Sequence, residues 1–276
     1  MRCASIMLLA AAVPCMAVRA DSISLGSSAD ATLIEEPTAE YALGGAYNVY
    51  AGRIGDNGGA TIRRGLMRFN FSAIPAGSTI TSVTLRLYMS QTQSGSQSIG
   101  LHRCSLPWVE GTAFAFGGAG TSAGIGDSTW NYQVYPTTPW PTPGGVFSST
   151  PSATKSVSSV GFYTWSSTAG LVADVQGWIN NPASNQGWVI KGNEALPTTV
   201  KRFESREAAA NQPLLVVNYL PPSNRPADLN SSGAVDGADL AILLGQWAAG
   251  ASSPADLNDD GVVNGADLAI LLGDWG

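Results

Sequence analysis

Apolar and polar residues alternate with period two along several short runs of the chain. Met67, Phe69 and Phe71 are interleaved with Arg68 and Asn70, and Val83, Leu85 and Leu87 with Thr84, Arg86 and Tyr88. Successive side chains of a strand point to opposite faces, so each run predicts a half-buried strand. Residues 99–104, 188–191, 200–204 and 214–219 extend the set, separated by turns rich in Gly, Pro and Ser. One stretch, 168–180, instead places Leu171, Val172, Val175 and Trp178 on one side of a short helix. Many strands and one short helix predict an all-β body, a β-sandwich of jelly-roll type.

The period changes near the C-terminus. Residues 227–247 and 255–275 are identical at 16 of 21 positions, a duplication with a period of 28 residues. In each copy Leu240, Leu243, Leu244 and Trp247, or Leu268, Leu271, Leu272 and Trp275, recur at i, i+3, i+4 and i+7. That spacing predicts one short helix per copy with a single apolar face, and so a small all-α module in which the two faces pack on each other. Before each helix, oxygen-bearing side chains stand at loop positions 1, 3, 5, 9 and 12 with glycine at 6, the spacing of an EF-hand calcium loop except for Asp at position 12. The first loop offers Asp228, Asn230, Ser232, Asp236 and Asp239, turned by Gly233; the second offers Asp256, Asn258, Asp260, Asn264 and Asp267, turned by Gly261. At position 7 neither Ala234 nor Val262 has a ligating side chain, so each is expected to give its backbone carbonyl. Calcium takes six to eight hard oxygens, so two loops predict two calcium ions.

Charge sharpens this reading. The chain has a net charge of −6, but residues 21–226 carry twelve acidic and twelve basic side chains, whereas residues 227–276 carry eight acidic ones and no basic one. Such a small apolar-rich segment repels itself unless cations bind. The balanced body gives no basic patch for nucleic acid. With only 12% charged residues, 32 glycines and 16 prolines, the composition also suits tight turns between strands.

The first residues, with Arg2, an apolar run from Ala4 to Ala17 and small residues before Asp21, read as a secretory signal peptide over 1–20. About fourteen apolar residues are too few to span a bilayer, so secretion without stable membrane insertion is expected. Removal of the leader leaves Cys104 as the only cysteine, which excludes an internal disulfide. His102 lies two residues away, and a buried structural thiol is the expectation for Cys104.

The two D-x-N-x-[DS]-G-x-V-x-x-x-D-L loops, each followed by a short helix, resemble type I dockerin domains. That resemblance implies attachment to a cohesin-like module on a scaffold protein. At the pair before loop position 12, where that family often has Ser-Thr, this chain has Gly237-Ala238 and Gly265-Ala266. In the body, residues 63–88, Trp108-Val109-Glu110-Gly111, Ser128-Thr129-Trp130, Asp174-Val175-Gln176-Gly177-Trp178, Phe203-Glu204-Ser205-Arg206-Glu207 and 213–219 are similar, in this order, to the DNRLRE family. The resemblance implies a carbohydrate-binding-module-like body for polysaccharides, acidic ones among them. Aromatic rings cover apolar sugar faces and Arg forks grip carboxylates, so Trp130, Tyr132, Tyr135, Trp140, Arg63 and Arg68 are candidate glycan contacts.

The expected organisation is a signal peptide (1–20), a DNRLRE-like β-sandwich (21–220), a linker (221–226) and a dockerin-like calcium-binding domain (227–276). No compact pair of carboxylates or His-based motif marks a catalytic centre. The expected function is a secreted, non-catalytic carbohydrate-binding protein that docks to a scaffold. A structural or adhesive cell-surface protein, and a polysaccharide lyase or hydrolase, are the alternatives.

Overall fold

The computed structural model describes residues 20–222, 225–230 and 232–276. Residues 1–19 of the leader, with Cys3 and Cys15, and linker residues 223 and 224 lie outside the described residues. The described chain falls into two compact units, one ending at Pro221 and one beginning at Pro222.

The main sheet of the first unit has ten strands, with one α-helix packed on it: β1 (Asp21–Ile34), β2 (Asn48–Arg53), β3 (Ile62–Phe69), β4 (Thr79–Thr92), β5 (Gln97–Arg103), β6 (Ala153–Val157), β7 (Gly161–Trp165), α1 (Ala169–Asn180), β8 (Trp188–Lys191), β9 (Lys201–Glu204) and β10 (Leu214–Leu220). The alternating runs of the sequence fall in β3, β4, β5, β8, β9 and β10. The layer arrangement differs from the expectation. The body is not a β-sandwich of two separate sheets, because six strands close into a barrel in the order β1-β10-β4-β9-β2-β3 and back to β1. Strands β8, β5 and β6 continue the sheet from β3, and β7 pairs with β4.

Closure depends on two strands that change partner along their length. Strand β1 pairs with β10 from Asp21 to Gly26, shifts register between Ser27 and Ala29, and then pairs with β3 as far as Ile34 opposite Arg63. Strand β2 pairs with β9 from Asn48 to Ala51 and with β3 through Gly52 and Arg53. Gly52 sits at φ 122, and a Cβ there would lie 2.9 Å from Val200 Cα, so the handover requires glycine.

The barrel interior and the face under α1 share one core, in which Trp165, Trp178, Trp188, Met67, Phe203 and Leu85 are fully buried. Helix α1 starts where the Thr168 hydroxyl oxygen accepts the Leu171 N–H at 3.1 Å, and it buries Leu171, Val175 and Trp178. The Trp178 and Trp188 rings meet edge to face with centroids 4.8 Å apart. Between them and the surface, the Asp174 carboxylate accepts the Ser152 hydroxyl and the Trp188 indole N–H, with Arg103 at 3.6 Å. Lys201 is also fully buried; its ammonium donates to Thr92 Oγ1, the Ser94 carbonyl and the Gly95 carbonyl, which fastens the turn between β4 and β5.

The second unit contains α2 (Gly237–Gly245) and α3 (Gly265–Gly273). Its core is made of pairs one repeat apart: Ala227 and Ala255, Val235 and Val263, Leu243 and Leu271. The backbone is tied in the same reciprocal way. The Ala248 N–H, after α2, donates to the Val263 carbonyl of the second loop, and the Gly276 N–H, after α3, donates to the Val235 carbonyl of the first. The single apolar face expected for each helix is only half covered. Leu243 and Leu271 are buried and Leu240 and Leu268 half-buried, but Leu244, Trp247, Leu272 and Trp275 are 51%, 48%, 51% and 45% exposed. The short loops and small helices leave no third layer in this unit to cover them.

Replacing Asp174 by Ala strands the Trp188 and Ser152 donors and leaves Arg103 unpaired. Urea unfolding should show a loss of about 2–4 kcal/mol. A loss under about 0.5 kcal/mol would place those donors on other acceptors.

Candidate metal loops and a cleft on the barrel wall

In both C-terminal loops the candidate ligands are wound around a glycine in the left-handed region, Gly233 at φ 93 and Gly261 at φ 95. The Asp228 carboxylate accepts the Ser232 and Gly233 N–H groups at 2.9 and 2.8 Å; Asp256 accepts those of Asp260 and Gly261 at 3.1 and 2.9 Å. Asn230 and Asn258 accept the same Ser232 and Asp260 N–H groups. The ligand positions also start the helices. Asp236 and Asn264 are the N-caps, accepting the Ala238 and Ala266 N–H groups, while Asp239 and Asp267 close the capping box by accepting the Asp236 and Asn264 N–H groups at 2.9 and 2.8 Å. The position 7 carbonyls of Ala234 and Val262 accept from Ser232 Oγ and Asn264 Nδ2.

Asp239 and Asp267 are fully buried, in a segment with no basic side chain. The Asn264, Leu257 and Asn258 N–H groups hold the Asp267 carboxyl below its ordinary value. Two buried carboxylates without a countercharge, with lone pairs left on each oxygen after the backbone bonds, fit a hard cation. Calcium would be held by Asp228, Asn230, Ser232, Ala234, Asp236 and Asp239 in one loop and by Asp256, Asn258, Asp260, Val262, Asn264 and Asp267 in the other. It would supply the missing positive charge and pin each loop to its helix. Each loop combines carboxylates with amide, hydroxyl or backbone carbonyl oxygens. Among the described residues the place where three carboxylates meet within 4.8 Å is elsewhere, at Asp30, Glu110 and Glu207.

That cluster sits in the body and is held by protein donors. Arg206 grips Glu110 with two bonds of 2.7 Å and reaches Glu207 at 2.8 Å. The Asp30 carboxylate accepts the Arg206 N–H at 2.9 Å and the Ser27 hydroxyl at 3.1 Å, and the Asp30 N–H donates to Glu110. Burial pushes the Asp30 carboxyl up to about 7, against the Arg206 N–H that opposes it. The Ser205-Arg206-Glu207 phrase therefore ties β1 to the loops after β5 and β9.

The candidate glycan contacts do not form one surface. Trp140 is buried, its indole N–H donating to the Thr129 carbonyl at 3.0 Å. Trp130 lies 4.7 Å from the Arg64 guanidinium, which also makes a two-bond ion pair with Glu194. Tyr132 and Tyr135 pack edge to face on each other at 5.3 Å. Arg68 lies over the Trp108 ring at 4.9 Å. The loop aromatics and these arginines thus pack largely on one another. Cys104 is a core thiol pushed up to about 11 by burial, its Sγ on the Leu106 and Val146 carbonyls, while His102 Nδ1 meets the Ser148 carbonyl. Burial holds His102 below its usual value, and no thiol–imidazole bond forms between the two.

Arg63 stands elsewhere, in a cleft of about 760 Å³ on the barrel wall that the sequence did not reveal. Tyr50 of β2, Arg202 of β9 and Gln91 of β4 form its floor. They are register partners across three adjacent strands, Tyr50 opposite Arg202 and Arg202 opposite Gln91. Residues 117–119 form one wall, with Gly118 so close to the Tyr50 ring that a Cβ would lie 3.1 Å from it. Arg63 is buried, donating to the Gly118, Glu35 and Ile62 carbonyls and to Thr61 Oγ1, and burial lowers it to about 10 against the pull of nearby Glu36 and Glu35. The outward position of Tyr50 between Val49 and Ala51 was the available signal, but strand β2 itself was not recognised.

Compared with protein-family models and with curated proteins, the chain matches none.

Two outcomes are expected of these sites. Calcium added to the chelator-treated chain should raise far-UV helical ellipticity and stability, by about 2.7 kcal/mol per loop at a hundredfold excess over Kd. Asp239→Asn with Asp267→Asn should abolish the response, and a spectrum indifferent to chelator would rule the loops out as metal sites. The second outcome concerns Asp30, which keeps its proton to about pH 7 when folded and loses it near pH 4 when unfolded. Over that window only the folded state holds the proton, so stability is greatest below about pH 4 and falls by a few kcal/mol as the pH rises to about 7. Denaturation midpoints across this range should fall in the parent chain and flatten in Asp30→Asn.

Proposed function

We propose that the chain is a secreted, non-catalytic carbohydrate-binding protein whose C-terminal module takes two calcium ions and docks onto a cohesin-like module of a scaffold protein. The observation that carries the reading is the duplicated loop and helix, with buried ligand carboxylates that lack a countercharge in both copies. The uncovered pairs Leu244 with Trp247 and Leu272 with Trp275 add support. They offer two equivalent apolar patches one repeat apart, and apolar aromatic patches of this kind are what a partner buries. Secretion rests on the leader-like first twenty residues. Among the described residues no helix is long and apolar enough to cross a membrane.

Polysaccharide binding by the body rests on its resemblance to DNRLRE proteins and on the aromatic and polar lining of the barrel-wall cleft. The non-catalytic reading rests on the lack of a compact acid–base motif in the sequence and on the way Arg206 and backbone donors bind the body's carboxylate cluster.

The docking half is tested by titrating a panel of purified cohesin modules into the full chain, with calcium and with chelator. Calcium-dependent binding to at least one module is expected, weakened by about 2–4 kcal/mol in Leu244→Glu with Leu272→Glu. A chain that binds calcium but no module would shift the reading to a structural or adhesive surface protein.

A further inference from the structure

The cleft on the wall of β2, β9 and β4 has features that identify what it accepts. Its volume of about 760 Å³ lies within the roughly 300–1,000 Å³ of clefts that enclose small ligands. Tyr50, 6% exposed, lends its ring to the floor, and its buried hydroxyl lies against the Arg202 guanidinium. Arg202 is fixed through Nε, which donates to Ser90 Oγ at 2.9 Å, with its guanidinium beside the Tyr50 hydroxyl. Gln91, exposed and in register beside it, brings both a donor and an acceptor.

Charge decides the class of ligand. Glu36 and Asp56 line the cleft along with Arg63 and Arg202, two charges of each sign. Arg63 is directed at carbonyls and neighboured by Glu36 and Glu35, so it adds little free positive charge to the space. A site for a polyanion gathers excess cations, whereas hydroxyl groups are held by mixed acceptors and donors beside an aromatic ring. From this balance we infer that the cleft binds a short segment of uncharged polysaccharide. Vicinal hydroxyls would meet Arg202 and Gln91, and an apolar sugar face would lie on Tyr41 at the cleft wall. The inference rests on the polysaccharide-binding reading above and narrows it to neutral chains and to this site.

Affinity electrophoresis of the full chain tests it, in gels holding soluble β-glucan, xylan or galactomannan and, in parallel, polygalacturonate or alginate, at low and high salt. At least one neutral polymer should retard the chain equally at both salt concentrations. Retardation should weaken about tenfold or more in Arg202→Met and Gln91→Ala and persist in Trp130→Ala, which lies off the cleft. Thermal unfolding identifies any variant that fails to fold, and exposed Gln91 provides the change least coupled to folding. Retardation by the polyuronates alone, falling steeply with salt, would overturn the neutral assignment. Retardation by a neutral polymer that both cleft variants retain would overturn the site while leaving polysaccharide binding intact. No retardation by any polymer would overturn both.

Discussion

The body depends on the handover of two strands between partners. Strand β1 leaves β10 for β3 at the register shift around Ser27, and β2 leaves β9 for β3 at Gly52. A sheet closed in this way has no free edge within its ring and holds its strands at fixed stagger. The row Tyr50, Arg202 and Gln91 exists because β2, β9 and β4 are consecutive in that ring. The acidic cluster depends on it too, since Asp30 is carried past Arg206 by the second half of β1.

The two units deal with buried charge differently. In the body every buried ion meets protein donors or acceptors: Lys201 has three oxygens, Asp174 has an indole, a hydroxyl and a guanidinium, and Asp30 largely avoids ionising. In the C-terminal unit Asp239 and Asp267 receive only backbone N–H groups, while Arg225 donates to the Gly276 carbonyl instead. The same carboxylates cap α2 and α3, so whatever completes their charge also sets where each helix begins.

Much of the local structure was legible, and the misreadings share a cause. Period-two alternation marked β4, β9 and β10, which keep one face on the core along their length, and the Met67–Phe69 end of β3, while β5 and β8, buried on both faces, were legible as short apolar runs between turns. It failed for β1, whose inner residues run continuously from Ala29 to Ile34 after a half-buried alternating start, and for β2, with Val49 to Ala51 all buried. These two strands pass from one part of the sheet to another, so no single face of either is always inward. Missing them meant missing closure, and a sandwich was the natural reading of what remained. The winding of the C-terminal loops was legible because their geometry is local, fixed by spacing around one glycine. The cleft was not, because its floor joins residues 50, 91 and 202 through pairing alone. Trp140, buried, and Arg68, lying over Trp108, show why side-chain type alone does not locate a binding surface: aromatic and basic residues suit a binding surface and a self-packed one equally well.

The reciprocal bonds of the C-terminal unit carry one more implication. Each loop's valine carbonyl is satisfied by the residue following the other copy's helix, and each copy supplies half of every core pair. One repeat alone is therefore not a smaller module but an unfinished one, with an open backbone acceptor and a half-built core. The indivisible element of this protein's tail is the pair, and a change in either copy is felt in the geometry of both.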